Sequence, residues 1–164
     1  SKEHQDRQDQ AAQDPAALKG RIVRAAAQML HADNVTLHQT AAGGGGFLPT
    51  ATHSATWPGD GQLAAPRVDG VSAYVIRHGT VVVANVETDL SDDLRSTVHL
   101  QARGTRAFLG LRLQAGAETL GVLFVNYRTV RTFDPYERAV AQVFGLYAAA
   151  ALLAARHARQ PPAV

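Results

Sequence analysis

Apolar residues recur at helical spacing in two long segments, one near each end of the chain. After Asp14 and Pro15 the apolar positions fall three or four residues apart as far as His31. Asp is a favoured N-cap and Pro is favoured at the first helical position, so this segment is predicted to be a helix. A second pair, Asp134-Pro135, has a Glu three residues after the Asp and opens a longer helix predicted to run to about His157.

The predicted C-terminal helix is apolar on more than one face. A helix of this kind must bury more than one face. One face can pack on the domain's own sheet, whereas the other requires the first helix, a second subunit, or both. The first stripe consists of Val140, Val143, Phe144, Tyr147 and Ala151, and the second of Leu146, Ala149, Ala150 and Leu153.

Alternating polar and apolar residues predict strands between these helices. The segment from Asn34 to Thr40 alternates as a half-buried strand does, with His38 at a surface or edge position. Four consecutive glycines at 43–46 then predict a flexible turn. A phosphate loop is not predicted there, because the Lys-Ser/Thr pair and the following helix are missing. Residues 47–56 are predicted to be the returning strand, 57–61 a loop, and 62–68 fit no single element.

The middle of the chain predicts a helix, a strand, a helix and a hairpin. The first helix covers Val71 to Arg77 and is capped by Gly79, and a short buried strand follows at 81–84. A helix from Leu90 to Arg103 opens with Ser91 and two acidic residues. The strands at 105–113 and 119–127 form the clearest hairpin signal, with Gly116 at the turn.

Composition narrows the function classes. Apolar residues make up 46% and charged residues 18%, which is a globular composition rather than a disordered one. Sixteen Lys and Arg residues stand against 14 Asp and Glu, and the arginines are scattered, so nucleic acid is not an expected partner. No apolar run reaches about 18 residues, so we expect no membrane span.

The order of elements, together with several short motifs, resembles a GAF domain, the small-molecule sensory module of signalling proteins. The resemblance covers about residues 15–157. It rests on GVSAYVIRHGTVVVAN from Gly70 to Asn85, on the Gly104-Thr105-Arg106-Ala107 segment, and on LGVLFV from Leu120, with Phe133 ahead of the last helix.

Three departures limit what the resemblance implies. Ala107 and Arg112 stand where GAF domains usually carry Ser and Pro. GAF domains of the cyclic-nucleotide subgroup carry a motif of Asn-Lys, then Phe, then an acidic pair. Here Tyr127 follows Asn126 and Arg138 follows Glu137, so the Lys and the acidic pair of that motif are missing. The chain has no Cys, which excludes a covalently attached bilin, the cysteine chemistry of free methionine sulfoxide reductases, disulfides and thiolate metal sites.

The resemblance implies an α+β fold with a central antiparallel sheet of five to six strands. The N- and C-terminal helices pack on one face, and short helices and loops between Leu63 and Arg103 close a pocket over the other. We expect a polar linker at 1–13, a GAF-like sensory domain at 14–158 and a tail at 159–164. The resemblance also implies a parent signalling protein of bacterial, cytoplasmic type, such as a sensor histidine kinase, with an output domain.

Candidate ligand-binding residues come from the alternation of the hairpin strands. Arg106 and Phe108 share one face and offer a cation and a ring for an anionic, partly planar ligand. The alternative is that Arg106 and Arg112 lie in solvent at the ends of this strand. Phe124 and Asn126 share a face of the next strand, where Asn126 satisfies backbone groups or contacts ligand. Two residues of the pocket lid complete the candidates: Tyr74 and His99.

Histidines are the remaining candidates for a cofactor ligand. A single His can hold haem from one side, and His53, His78 and His99 fall in loop or pocket-covering segments. The sequence has no closely spaced pair of histidines, so a zinc site is not predicted. No Ser lies in a Gly-x-Ser-x-Gly turn, and Ser91 fits a helix cap, so we expect no catalysis.

Three functions therefore remain open from the sequence. The first is a sensory domain that binds an unknown small molecule and relays its state through the terminal helices. The second is a ligand-free dimerisation module, a homodimer through the first and last helices whose pocket is filled by Phe108, Phe124 and Tyr74. The third is a haem or gas sensor.

Overall fold

The computed structural model describes residues 1–6, 14–44, 46–55, 61–63, 70–101 and 104–159, without the side chains of 15, 61–63 and 99–101. Residues 2–6 form a single exposed helical turn. Residues 57–60 of the loop predicted at 57–61, most of the ambiguous segment after it and the tail beyond 159 lie outside the described residues. Gly61, predicted to end that loop, is instead in a strand. The linker and tail boundaries stay predictions.

One antiparallel sheet organises the molecule. Its strands are β1 (Asn34–Gln39), β2 (Thr50–Ser54), β3 (Gly61–Leu63), β4 (Thr80–Val83), β5 (Ala107–Ala115) and β6 (Glu118–Tyr127). They lie in the order β3-β2-β1-β6-β5-β4. The predicted α+β class and the sheet of five to six strands are confirmed.

Helix α1 (Pro15–Met29) begins as predicted and ends two residues early. The Asp14 side chain accepts a hydrogen bond from the Ala16 N–H, and Pro15 occupies the first turn. At the other end His31 has a φ of 52°, and the Ala32 N–H donates to the Ala27 carbonyl. This left-handed residue turns the chain out of the helix and towards β1.

Strand β1 is buried along its whole length, which corrects the half-buried strand predicted from its alternation. It pairs with β2 on one side and β6 on the other, so both of its edges are covered. His38, predicted as a surface or edge residue, is among the fully buried side chains. The polar face of β1 is buried because its side chains contact other polar groups and, at His38, the rings of Phe47 and Phe124.

The predicted helix at 90–103 corresponds to α4 (Asp92–Gln101), and a short helix that was not predicted, α3 (Val86–Asp89), precedes it. The Asn85 side chain caps α3 by accepting from the Glu87 N–H. The backbone is extended at Leu90, and the Leu94 N–H then donates to the Ser91 hydroxyl, so Ser91 caps α4 as predicted. Each of the two helices therefore begins at its own cap.

Helix α2 (Val71–His78) and the β5–β6 hairpin match their predictions closely. Gly79 has a φ of 87° and donates its N–H to the Val75 carbonyl, so it ends α2 as a glycine cap does. Gly116, with a φ of 59°, forms the hairpin turn, and the register shifts by one residue after Leu113. Strand β4 lies at the edge of the sheet and has two exposed and two buried side chains. The strand predicted to be buried is therefore half-buried.

Helix α5 (Pro135–Ala158) lies with α1 on one face of the sheet. Asp134 and Glu137 form the predicted capping box. Leu109, Leu111 and Leu113 of β5 pack into the core beneath these two helices. Helices α2 and α4 cover the opposite face through a second core that includes Val71, Val98 and Phe108. The predicted layering of terminal and middle helices is confirmed.

Helix α5 has the length and apolar composition of a membrane-crossing helix. Its residues Ala141, Gly145, Ala148, Ala149 and Leu152 are nevertheless buried against the sheet and α1. Composition alone is therefore weak evidence for a membrane span.

Candidate functional site

The side of the sheet that faces α2 and α4, called here the pocket face, carries a group of buried polar side chains. These polar side chains lie on the neighbouring strands β1, β2 and β6. Asn34 lies opposite both Asn126 and Ser54, and His38 lies opposite Val122. Each member is at most 9% exposed. We call this set the polar patch: Asn34, His38, Thr50, Thr52 and Asn126.

The amide of Asn34 is the centre of the polar patch. Its Nδ2 donates to Thr52 Oγ1 at 3.0 Å and to Ser54 Oγ at 2.9 Å. Its Oδ1 accepts from Asn126 Nδ2 at 2.9 Å. Asn126, predicted to satisfy backbone or to contact ligand, therefore pairs with another side chain across the two central strands.

His38 forms the other end of the polar patch. Its Nδ1 lies 2.6 Å from Thr50 Oγ1. The imidazole meets the rings of Phe47 and Phe124 edge-on, with centroid distances of 6.3 and 5.6 Å. These contacts fix the ring orientation on the pocket face.

An apolar region adjoins the polar patch on the β5 side. The rings of Phe108 and Phe124 meet edge-to-face at 5.6 Å, and both are buried. Gly110 lies between them and α2, where an added Cβ would lie 2.7 Å from a Val75 methyl. The helix therefore packs directly on the backbone of β5.

The structure brings together three of the predicted ligand-binding residues and separates a fourth. Phe108, Phe124 and Asn126 lie together on the pocket face. Arg106 is exposed at the start of β5, away from the buried Phe108 ring. Arg112 is also exposed and donates to the Ile76 carbonyl at 2.8 Å. These exposures favour the interpretation in which both arginines lie in solvent.

The remaining candidates lie in the lid. Tyr74 is half-buried against the apolar region, and its ring lies 4.1 Å from the ring of His78, which is exposed at the end of α2. The side chain of His99 lies outside the described residues. His53 lies opposite Val35, whose side chain belongs to the core beneath α1 and α5, so His53 faces away from the pocket face. Among the described residues, no three His, Asp or Glu side chains converge as a metal site would require.

Sequence reasoning missed four members of the polar patch: Asn34, His38, Thr50 and Thr52. Their signal was the alternation of polar residues within β1 and β2. That alternation was interpreted as solvent exposure, because the sequence alone does not show that these polar side chains pair with one another beside the rings of Phe47 and Phe124.

On the opposite face, Tyr127 links the sheet to both terminal helices. Its hydroxyl donates to the Leu30 carbonyl at 2.6 Å, just after α1. The guanidinium of Arg131 lies 4.4 Å from the Tyr127 ring centroid and pairs with Glu137 of α5. Burial raises the pKa of Tyr127 to about 12, with the nearby Arg131 opposing this rise.

The loop from Thr40 to Pro49 joins β1 to β2 and contacts both terminal helices. Arg156 of α5 donates to the Thr40 carbonyl at 2.8 Å, and Lys19 of α1 donates to the Pro49 carbonyl at 3.3 Å. Lys19 is nearly buried, and this burial, together with the charge of Arg159, lowers its pKa. A cleft of about 530 Å³ separates the loop tip from Ile76, Glu118 and Arg156.

Comparisons with known proteins agree with this architecture. The sequence profile of the GAF domain family matches residues 14–152. No curated protein matches the chain in sequence.

Several solved structures have a similar fold. The GAF domain of cyanobacteriochrome TePixJ superimposes with a TM-score of 0.69 at 14% identity, over 88% of this chain and 92% of that one. A domain of a putative two-component sensor histidine kinase from Sinorhizobium meliloti 1021 gives 0.56 at 14% identity, over 86% and 94%. The free methionine-R-sulfoxide reductase of Neisseria meningitidis, solved with its substrate, gives 0.64 at 14% identity, over 91% and 86%.

Proposed function

Because the chain belongs to the GAF domain family, we propose that it is a non-catalytic sensory domain that binds a small molecule on the pocket face. The observation that supports this proposal is the polar patch beside the Phe108–Phe124 region. Ligand pockets combine apolar walls with a few convergent polar groups that fix the ligand's orientation. Buried polar groups are costly unless they are paired, and the hydrogen bonds within the polar patch supply that pairing.

The proposed ligand is an uncharged, hydrogen-bonding small molecule with a planar apolar part. The polar patch supplies amide, hydroxyl and imidazole groups, and Phe108 and Phe124 supply ring surfaces. The exposed position of Arg106 weighs against the anionic ligand that the sequence suggested.

A ligand screen tests this proposal. Saturation-transfer NMR with a library of uncharged heterocycles and amides identifies binders, and ¹H–¹⁵N spectra of the wild type then locate them. We expect the side-chain amide signals of Asn34 and Asn126 to shift, Asn126→Leu to lose binding, and Arg106→Gln to keep it. Binders that leave both amide signals in place, or that depend on Arg106, would contradict the proposed site.

The wider role that we propose is that of an input domain in a bacterial cytoplasmic signalling protein of the sensor histidine kinase type. Support comes from the histidine kinase domain among the similar structures and from the position of α1 and α5 at the two ends of the fold. A helix that leaves the domain can pass on a shift, provided that it has two arrangements which ligand binding biases.

The second candidate function is a dimerisation module with a filled pocket, and two observations favour it. Phe108 and Phe124 already occupy part of the pocket face. Helix α5 also exposes 52% of Val143, 65% of Leu146 and 73% of Tyr147. Exposed positions Ala139, Val143, Leu146 and Ala150 repeat at spacings of four, three and four residues, which is the spacing of a helix–helix seam.

Sedimentation at high micromolar concentration tests dimerisation through this seam. We expect a homodimer for the wild type and for Thr88→Glu, an exposed change on α3, and a monomer for Leu146→Glu. A monomeric wild type would rule out the dimer, and a dimeric Leu146→Glu variant would rule out this seam.

Haem sensing, the third possibility, receives no support from His53 and His78, the two of its candidate ligands whose side chains the structure describes. His53 faces the terminal helices and His78 is exposed beside Tyr74. An absorption spectrum tests it directly, since bound haem gives a Soret band.

A further inference from the structure

We infer that the Thr40–Pro49 loop is the element that couples the pocket face to the terminal helices. This inference rests on the proposed function, since a relay needs a ligand-binding face, and it assigns the relay to one segment. The loop contacts the pocket face through a ring and the two helices through its carbonyl groups.

Phe47 is the loop's contact with the pocket face. Its side chain packs against the second core, and its ring meets the edge of the His38 imidazole at 6.3 Å. His38 in turn contacts Thr50, directly after the loop. A ligand seated on the polar patch would therefore press on Phe47 or on a residue that touches it.

Two cationic side chains form the contacts with the helices. Arg156 holds the start of the loop at the Thr40 carbonyl and also pairs with Glu118 at 3.4 Å. Lys19 holds the end of the loop at the Pro49 carbonyl. Hydrogen bonds from charged donors are stronger than those from neutral donors, so movement of these carbonyls changes how α1 and α5 are held.

The base of the loop is held by backbone hydrogen bonds, and Gly43 and Gly44 have open space around them. The Leu48 N–H donates to the Gln39 carbonyl at 2.7 Å, and the Ala41 N–H donates to the Gly46 carbonyl at 2.8 Å. Phe47 also forms an isolated β-bridge with Thr40. Gly43 and Gly44 meet no atom within 4 Å of an added Cβ, and the cleft of about 530 Å³ lies beside them. The base therefore transmits a displacement, and the tip has room to accommodate it.

Amide hydrogen exchange tests the coupling from the pocket side. We expect Phe47→Ala to raise exchange about tenfold at residues 149–156 of α5 and 19–23 of α1, because the carbonyls lose their fixed positions. Leu90→Ala is the matched control: it removes another partly buried side chain from the same core, outside the loop, and we expect less than a twofold effect there. Equal effects from both variants, or no effect from Phe47→Ala, would overturn the inference.

The reverse direction provides a second test, because coupling between two sites is reciprocal. Lys19→Met should raise exchange at the Leu48 amide and shift the His38 ring signals, whereas Arg24→Met, an exposed cation on the same helix, should change neither. Unchanged Leu48 and His38 signals in Lys19→Met would contradict the coupling even if Phe47→Ala unfolds. Neither test adds a ligand, so a failed relay is distinguishable from a pocket that does not bind.

Discussion

Tyr127 shows how one residue connects the sheet to its helices. Its ring packs in the core beneath α1 and α5, while its hydroxyl satisfies the Leu30 carbonyl where α1 has ended. A buried carbonyl without a hydrogen-bond donor destabilises the fold, so the Tyr127 hydroxyl stabilises this junction by pairing the Leu30 carbonyl, in addition to the packing of its ring.

We predict that Tyr127→Phe lowers the free energy of unfolding by roughly 1–3 kcal/mol at neutral pH, because the Leu30 carbonyl loses its donor. Since the folded-state pKa is about 12 and the ordinary value is 10.0, the wild type should also lose stability as pH rises through this window. Urea unfolding at pH 7 to 11.5 measures both effects. Tyr147→Phe, at an exposed position, is the control and should match the wild type; a Tyr127→Phe variant with wild-type stability would contradict the role of the hydroxyl.

Gly110 allows α2 to pack closely on β5, because it has no side chain at the point of contact. We predict that Gly110→Ala costs about 1–3 kcal/mol of stability, since the new methyl meets Val75 and forces the lid helix away from β5. Gly110→Ala combined with Val75→Ala should recover part of the loss. Thermal unfolding measures the series, and a neutral Gly110→Ala would show that the helix does not pack on the strand as described.

Individual side chains were the hardest feature to predict from sequence. Phe108, Phe124 and Asn126 could be put on one face from alternation within β5 and β6. His38 could not, because its burial depends in part on Phe124 of β6, which is distant in sequence. Arg106 was predicted as a ligand-binding cation, because its position just before the strand does not reveal whether its side chain faces the pocket or solvent.

At the element scale, local signals decided most boundaries. Asp14, Asp134 and Gly79 marked ends of α1, α5 and α2 because caps act through neighbouring backbone groups. The short helix α3 was missed, because its four residues are too few to show a helical period.

The capping box of α5 supplies an element-scale prediction. Asp134→Ala should lower stability by about 1 kcal/mol, because the Glu137 N–H loses its acceptor at 2.7 Å. Chemical denaturation measures the loss, and Asp134→Asn should retain most of the stability as another good N-cap. Equal losses from the Ala and Asn variants would mean that charge, rather than the cap, is responsible.

At the scale of the whole molecule, the fold follows from the order of elements, but the site does not. The sequence predicted terminal helices on one face and a lid on the other, and the structure confirms both layers. The chemistry of the pocket face depends on which strands become neighbours. Asn34 and Asn126 are 92 residues apart in sequence yet share a hydrogen bond across β1 and β6.

The central claim is that the pocket face binds an uncharged small molecule, and native mass spectrometry of freshly purified protein tests it most directly. An absorption spectrum of the same sample detects bound haem. We predict one additional small organic mass per chain, absent from Asn126→Leu, and no Soret band. Wild-type protein at its unliganded mass throughout, or a sample with a Soret band, would contradict the claim.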